Sequence, residues 1–130
     1  GRGDPWCGAV RPGRAGPQLM LAPDVPPVAA HVARAPTAIG IGEREFAIAV
    51  YRPRVHPGAL KFNIRNLGED VHDLVVRRKG RRVGGLTAAV KPGQTATLRL
   101  TLRRIGSYQL VCTVADHEAR GMRATLRVVR

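Results

Sequence analysis

Cys112, His117 and Met122 follow one another with four residues between each pair, in the stretch Cys112-Thr-Val-Ala-Asp-His117-Glu-Ala-Arg-Gly-Met122. Few sites need a thiolate, an imidazole and a thioether within one short loop. Soft sulfur ligands select copper, and a plane of two imidazoles and one thiolate with a weak axial thioether makes a blue-copper electron-transfer centre. The second imidazole must come from elsewhere in the chain. His72 fits, in Asn66-Leu-Gly-Glu-Asp-Val-His72-Asp73. Zinc is the rival metal, but structural zinc takes Cys, His and carboxylate rather than a thioether. The fold must therefore hold one short loop at both ends and bring a second segment to it.

The rest of the chain supplies a fold of that kind. Ala59–Asn66 alternates, with Leu60, Phe62 and Ile64 on one face, and Thr95–Leu102 alternates Thr and Arg against Ala and Leu. Arg44–Tyr51, Val71–Arg77, Gly106–Thr113 and Arg123–Val129 read as further strands, and Leu86–Val90 as a weak one. A period of two marks half-buried strands. Turn signals at His56-Pro57-Gly58, Leu67-Gly68, Gly84-Gly85 and Lys91-Pro92-Gly93 separate them. Short strands at this spacing predict an all-β sandwich. Aromatic residues make up only 4%, so its core must be aliphatic. The sandwich is expected over residues 42–130. Residues 1–41 read as a tail or linker, because Pro5, Pro12, Pro17, Pro23, Pro26, Pro27 and Pro36 exclude helices and central strands there.

Twenty-two Lys and Arg against nine Asp and Glu give a net charge of +13. An acidic partner, an anionic membrane surface and nucleic acid all fit such a balance, as does a general habit of using scattered arginine. Nucleic acid is disfavoured by the scarcity of aromatic residues for base stacking. One local cluster stands out, Arg77, Arg78, Arg81 and Arg82, expected at a hairpin tip. No apolar run reaches the length of a membrane span, and no signal peptide is visible. Cys7 is the only other cysteine; a metal thiolate cannot share a disulfide, so Cys7 is expected to stay unpaired with Cys112. His31 and His56 are expected to face solvent or serve the structure.

At these residues the chain resembles the cupredoxins with a Cys-x4-His-x4-Met loop, such as auracyanin, rusticyanin and sulfocyanin. The resemblance runs over residues 42–130. It rests on the Asn66-x-Gly68 turn, Val90-Lys-Pro-Gly-Gln-Thr95, Gly106-Ser-Tyr-Gln-Leu-Val-Cys-Thr113 and the loop to Met122. It implies a Greek-key β-sandwich holding one type 1 copper, with His72, Cys112 and His117 equatorial and Met122 axial. Asp73 would bond the segment at Thr113, and its N–H would point at the Cys112 sulfur. A departure lies before the loop histidine, where Ala115-Asp116 replaces the Pro-Gly of many relatives. Asp116 is expected to take the unusual backbone angles there. Its carboxylate, with Glu118 nearby, would favour Cu(II) and lower the potential. A binuclear copper site would need a second cysteine in the loop.

The function implied is one-electron transfer between redox partners, without an enzymatic reaction. Copper storage or delivery is the alternative, as is service as an accessory domain of a copper oxidase or reductase. His117 would be the electron port, ringed by Ala119, Gly121 and turns such as Pro57-Gly58. Basic charge around it would suit an acidic docking surface on the partner. A monomer is expected, working outside the cytoplasm in the periplasm or at the cell surface, with a possible membrane tether through the N-terminal region.

Overall fold

The computed structural model describes residues 34–130. Every regular element among them is a strand: β1 (Thr37–Arg44), β2 (Ala47–Val50), β3 (Arg54–Val55), β4 (Gly58–Asn66), β5 (Val75–Arg78), β6 (Arg81–Gly85), β7 (Thr95–Leu102), β8 (Gly106–Val111) and β9 (Arg123–Val128). They form two sheets, ordered β2-β1-β4-β7 and β3-β9-β8-β5-β6. The expected sandwich is the fold observed.

The alternating residues explain the layers. Leu60, Phe62 and Ile64 of β4 turn inward beside Ile39 and Ile41 of β1, and all are fully buried or nearly so. Val76, Leu110 and Leu126 face them from the second sheet. Burying a side chain of this size contributes roughly 1.5–3 kcal/mol, so these positions dominate the stability of the domain. Tyr108 adds one aromatic ring and satisfies its hydroxyl by donating to Arg104 O at 2.7 Å.

Three local expectations differ from the structure. β1 begins at Thr37, inside the stretch assigned to the tail, and Ile39 and Ile41 pair in parallel with Phe62 and Ile64. Glycines 40 and 42 hid the alternation; both leave room for Tyr51, whose hydroxyl would lie 2.8 Å from a Cβ at Gly42. The Gly84-Gly85 pair is not a turn but the end of β6. A Cβ at Gly84 would stand 2.8 Å from Leu100, so glycine here permits close packing. Leu86–Val90 forms no strand, only a single bridge from Val90 to His72. The expected tail up to residue 33, with Cys7, Met20 and His31, lies outside the described residues.

Strand directions define two poles. The C-terminal ends of β1, β4 and β8 and the start of β9 meet at one pole, with the loops 66–73 and 112–122. The starts of β4 and β8, the end of β7 and the β5–β6 turn meet at the other.

Candidate metal centre

His72, Cys112 and His117 converge at the first pole, all buried. Their segments are fixed by backbone bonds. His72 exchanges two bonds with Val90, at 3.1 and 2.6 Å. Cys112 N–H donates to Met122 O at 3.2 Å, and Met122 N–H to His117 O at 3.0 Å, so the loop closes on itself. Met122 is wholly buried in the core beside them.

Asn66 shapes the approach to His72. Its side-chain amide donates to Asp70 O and Val90 O at 2.7 and 2.8 Å, while its Oδ1 accepts from Gly68 N–H at 2.8 Å. A Cβ at Gly68 would collide with the Glu45 carboxylate at 2.5 Å. Glycine is needed in this turn because a carboxylate occupies the space.

The three donor atoms outline a triangle. His72 Nδ1 and His117 Nδ1 are 3.3 Å apart, and Cys112 Sγ lies 3.9 and 3.6 Å from them. Three such ligands around one ion, with bonds of roughly 2.0–2.3 Å, need edges of about 3.3–3.6 Å between nitrogens and about 3.5–3.8 Å from nitrogen to sulfur. The residues therefore fit a single metal ion. Burial pushes the Cys112 thiol up to about 11, against hydrogen bonds from the backbone of Asp73 and Val114 that act the other way. A coordinated cation deprotonates a thiol outright, so uptake of metal releases a proton.

Both imidazoles present Nδ1 to this triangle and Nε2 to a carboxylate. His72 Nε2 is 2.9 Å from Glu45 Oε1, and His117 Nε2 is 3.1 Å from Asp70 Oδ2. Such partners fix the tautomer and ring angle of a metal-binding histidine. Glu45 also accepts from Glu69 N–H and Asp70 N–H, at 2.9 and 2.8 Å, and these two bonds hold its carboxyl down at about 2. One side chain from the β1–β2 turn thus clamps the whole His72 loop. Asp73 N–H donates to Cys112 Sγ at 3.4 Å. Its carboxylate accepts from Thr113 N–H at 2.6 Å and from the Thr113 hydroxyl at 2.5 Å, tying the two ligand loops together.

Asp116 does not face the triangle. It is exposed and accepts from Arg120 Nε at 2.7 Å, a bond that lowers its carboxyl. Glu118 is paired with Arg77 at 2.8 Å. The unusual backbone angle falls on Ala115, with φ of 45°, rather than on Asp116. His56 stands at the opposite pole against Val129 O.

The surroundings of His117 also depart from expectation. Its side chain is only 3% exposed, covered by Asp70 and by the Phe46 ring at 5.1 Å, with the Arg120 guanidinium over the Phe46 ring. Pro57-Gly58 cannot ring it, because Gly58 starts β4 and the triangle lies beyond its other end, about 26 Å away at 3.3 Å per residue. Cations stand at this pole as well: Arg44 ends β1, Arg123 opens β9, Lys91 follows the Val90 bridge to His72, and Arg120 pairs with Asp116. Every described carboxylate, Glu43, Glu45, Glu69, Asp70, Asp73, Asp116 and Glu118, lies at this pole. Net charge is a sum over the chain and carries no information on where the charges sit.

Glu43 is the one unsatisfied group. It lies on the inner face of β1, wholly buried, and neither carboxyl oxygen finds a partner among the described residues. Burial pushes it up to about 8, with the Asp73 carboxylate adding to the rise. It is therefore a neutral acid at pH 7.

No family model and no curated protein matches the chain. Solved structures do. Auracyanin B superimposes with a TM-score of 0.66 at 16% identity, over 76% of this chain and 94% of that one. Auracyanin A, a "blue" copper protein from the photosynthetic bacterium Chloroflexus aurantiacus, gives 0.63 at 18% identity, over 73% and 100%. A copper-containing nitrite reductase from Thermus scotoductus gives 0.54 at 18% identity, over 72% of this chain and 28% of that one. Residues 34–130 adopt the cupredoxin fold.

Proposed function

We propose that the protein is a one-electron carrier built around a single type 1 copper held by His72, Cys112, His117 and Met122. The observation that carries this reading is the buried triangle of two imidazole nitrogens and one sulfur, with edges between 3.3 and 3.9 Å. Bound copper would supply the Cu(I)/Cu(II) couple. The chain's own residues do the rest. Cys112 and the two Nδ1 atoms donate in the plane, and Met122 offers a weak thioether. Glu45 and Asp70 hold the Nε2 protons and so keep both rings from turning. Asp73 holds the Cys112 sulfur and the Thr113 backbone at once. Little of this arrangement is free to move, which lowers the reorganisation that accompanies gain or loss of an electron and disfavours release of the metal. The storage and delivery reading is weaker for that reason.

Partners would dock at the metal pole, where the Asp70 carboxylate, 57% exposed, and Phe46 cover the edge of His117. The described carboxylates gather there beside Arg44, Lys91 and Arg120, so a partner would meet both signs of charge. At physiological salt the screening length is about 8 Å, so arginines at the far pole contribute little to this contact. An extracytoplasmic setting belongs to the same reading and rests on the ligand loop's resemblance to such carriers.

The nitrite reductase match keeps a second reading in play, an accessory domain of a copper enzyme. Catalysis would need another copper site rich in histidine, and among the described residues only His56 remains, at the opposite pole. The test is the oxidation rate of the copper(I) protein by a cationic and an anionic small-molecule oxidant of matched driving force. The carrier reading expects fast outer-sphere transfer with both. Slow transfer with both, together with rapid loss of copper to a chelator, would support storage instead.

A further inference from the structure

Among the described residues, the charged side chains at the pole opposite the metal centre are all cations. Arg54, Arg78, Lys79, Arg81, Arg103 and Arg104 come there from three separate segments, β3, the β5–β6 hairpin and the β7–β8 turn. No described carboxylate lies at this pole, and none of the six forms an ion pair among the described residues. Two arginine pairs even face each other across the β5–β6 hairpin, Arg77 with Arg82 and Arg78 with Arg81. Like charges directly opposite on paired strands are destabilising. Glu118 offsets Arg77, but no carboxylate stands beside the Arg78–Arg81 pair among the described residues, and breaches of a local rule cluster at functional sites.

Apolar groups stand among the cations. Ile105 is 43% exposed at the tip of the turn between β7 and β8, directly after Arg103 and Arg104, and Val83 is 40% exposed on β6. A cavity of about 570 Å³ opens between the hairpin and this turn, lined by Arg78, Lys79, Arg81, Arg103 and Arg104. β1 also starts here, since Thr37 pairs with Leu60 near the beginning of β4.

We propose that this pole is a docking surface for a bilayer rich in anionic phospholipid. The arginines and Lys79 would engage headgroup phosphates, and Ile105 would enter the headgroup layer. Clustered cations beside a small apolar element are what such a surface attracts. Nucleic acid is the poorer occupant, because no exposed aromatic among the described residues stands here for bases to stack on; Tyr108 is buried beneath the Arg78 guanidinium. An acidic protein is also poorer, because protein interfaces centre on an apolar core with charge at the rim, and here Ile105 and Val83 are too small an apolar element to form one. Docked this way, the domain would hold its metal pole about 30 Å from the lipid, facing outward for a redox partner.

Co-sedimentation of the full chain with vesicles tests this without any copper, so it can fail while the redox reading stands, and the reverse. The vesicles are phosphatidylcholine alone and phosphatidylcholine with roughly a third phosphatidylglycerol. Binding is expected only to the anionic vesicles and is expected to weaken with salt. Each cation removed should cost about fivefold, so Arg103→Gln/Arg104→Gln should lose about 25-fold. Ile105→Glu, which keeps every arginine, should also weaken binding. Arg44→Gln/Lys91→Gln, at the metal pole, should bind as the parent does. Absence of binding to anionic vesicles would overturn the proposal. So would undiminished binding by both far-pole variants, which would move the contact to the residues before the fold. Displacement by polyglutamate at equal charge concentration would also overturn it, in favour of an acidic protein partner.

Discussion

The two poles of this sandwich are made from the two ends of the same strands, yet they follow opposite rules. At the metal pole the groups around the three ligands are partnered: carboxylate on imidazole, carboxylate on backbone, backbone on sulfur. At the far pole six cations stand without counter-ions. The first pattern fixes a geometry and the second attracts a surface. A net charge of +13 conceals the division, because arginines outnumber carboxylates while every described carboxylate sits at one end. The contrast locates preorganisation at the metal pole and recruitment at the other.

The largest expected effect concerns Glu43, the one breach in the satisfied pole. Its folded value near 8 lies above the ordinary carboxylate value of 4.5. The folded protein therefore holds a proton that the unfolded chain has lost. Stability from this group is complete below pH 4.5 and falls as pH rises toward 8, by at most about 1.4 kcal/mol per pH unit. Urea unfolding of the metal-free protein at pH 5 and pH 8 should show this loss in the parent and not in Glu43→Gln. Equal pH dependence in both would mean that Glu43 is partnered in solution.

Next in size is the clamp. Glu45→Ala removes the acceptor shared by His72, Glu69 and Asp70, and loss of such a partner typically costs 10–100-fold in metal affinity. Chelator competition should show that loss, whereas Arg103→Gln at the far pole should leave affinity unchanged. Parity between the two would erase the distinction between the poles. A smaller effect is expected at Ala115, where a left-handed backbone angle costs a non-glycine residue about 1 kcal/mol. Ala115→Gly should raise the unfolding midpoint slightly. The smallest concerns Asp116. Removing its charge should raise the copper midpoint potential, but only slightly, because the carboxylate is exposed and already paired with Arg120. A fall, or no rise, in Asp116→Asn would deny it any electrostatic role.

What was legible beforehand was whatever the chain keeps local. The spacing from Cys112 to Met122 lies within one loop, and β4, β7 and β9 announce themselves by alternation. Glycines obscured β1 and β6, since Gly40, Gly42, Gly84 and Gly85 serve close packing and look like punctuation. Glu45 and Asp70 were missed because each reaches its histidine only through the fold, across 27 and 47 residues. No spacing rule links them. Phe46 and Arg120, which cover His117, were missed for the same reason. The gathering of every described carboxylate at one pole was not legible, because composition does not report position.

The central claim is that one thiolate, two imidazoles and a thioether share a single copper ion. The optical spectrum of the copper-loaded, oxidised protein tests it most directly. An intense thiolate-to-copper charge-transfer band in the visible is expected at one copper per chain, abolished in Cys112→Ser and shifted in Met122→Leu. A spectrum with only weak bands, or one unchanged in Cys112→Ser, would contradict the account.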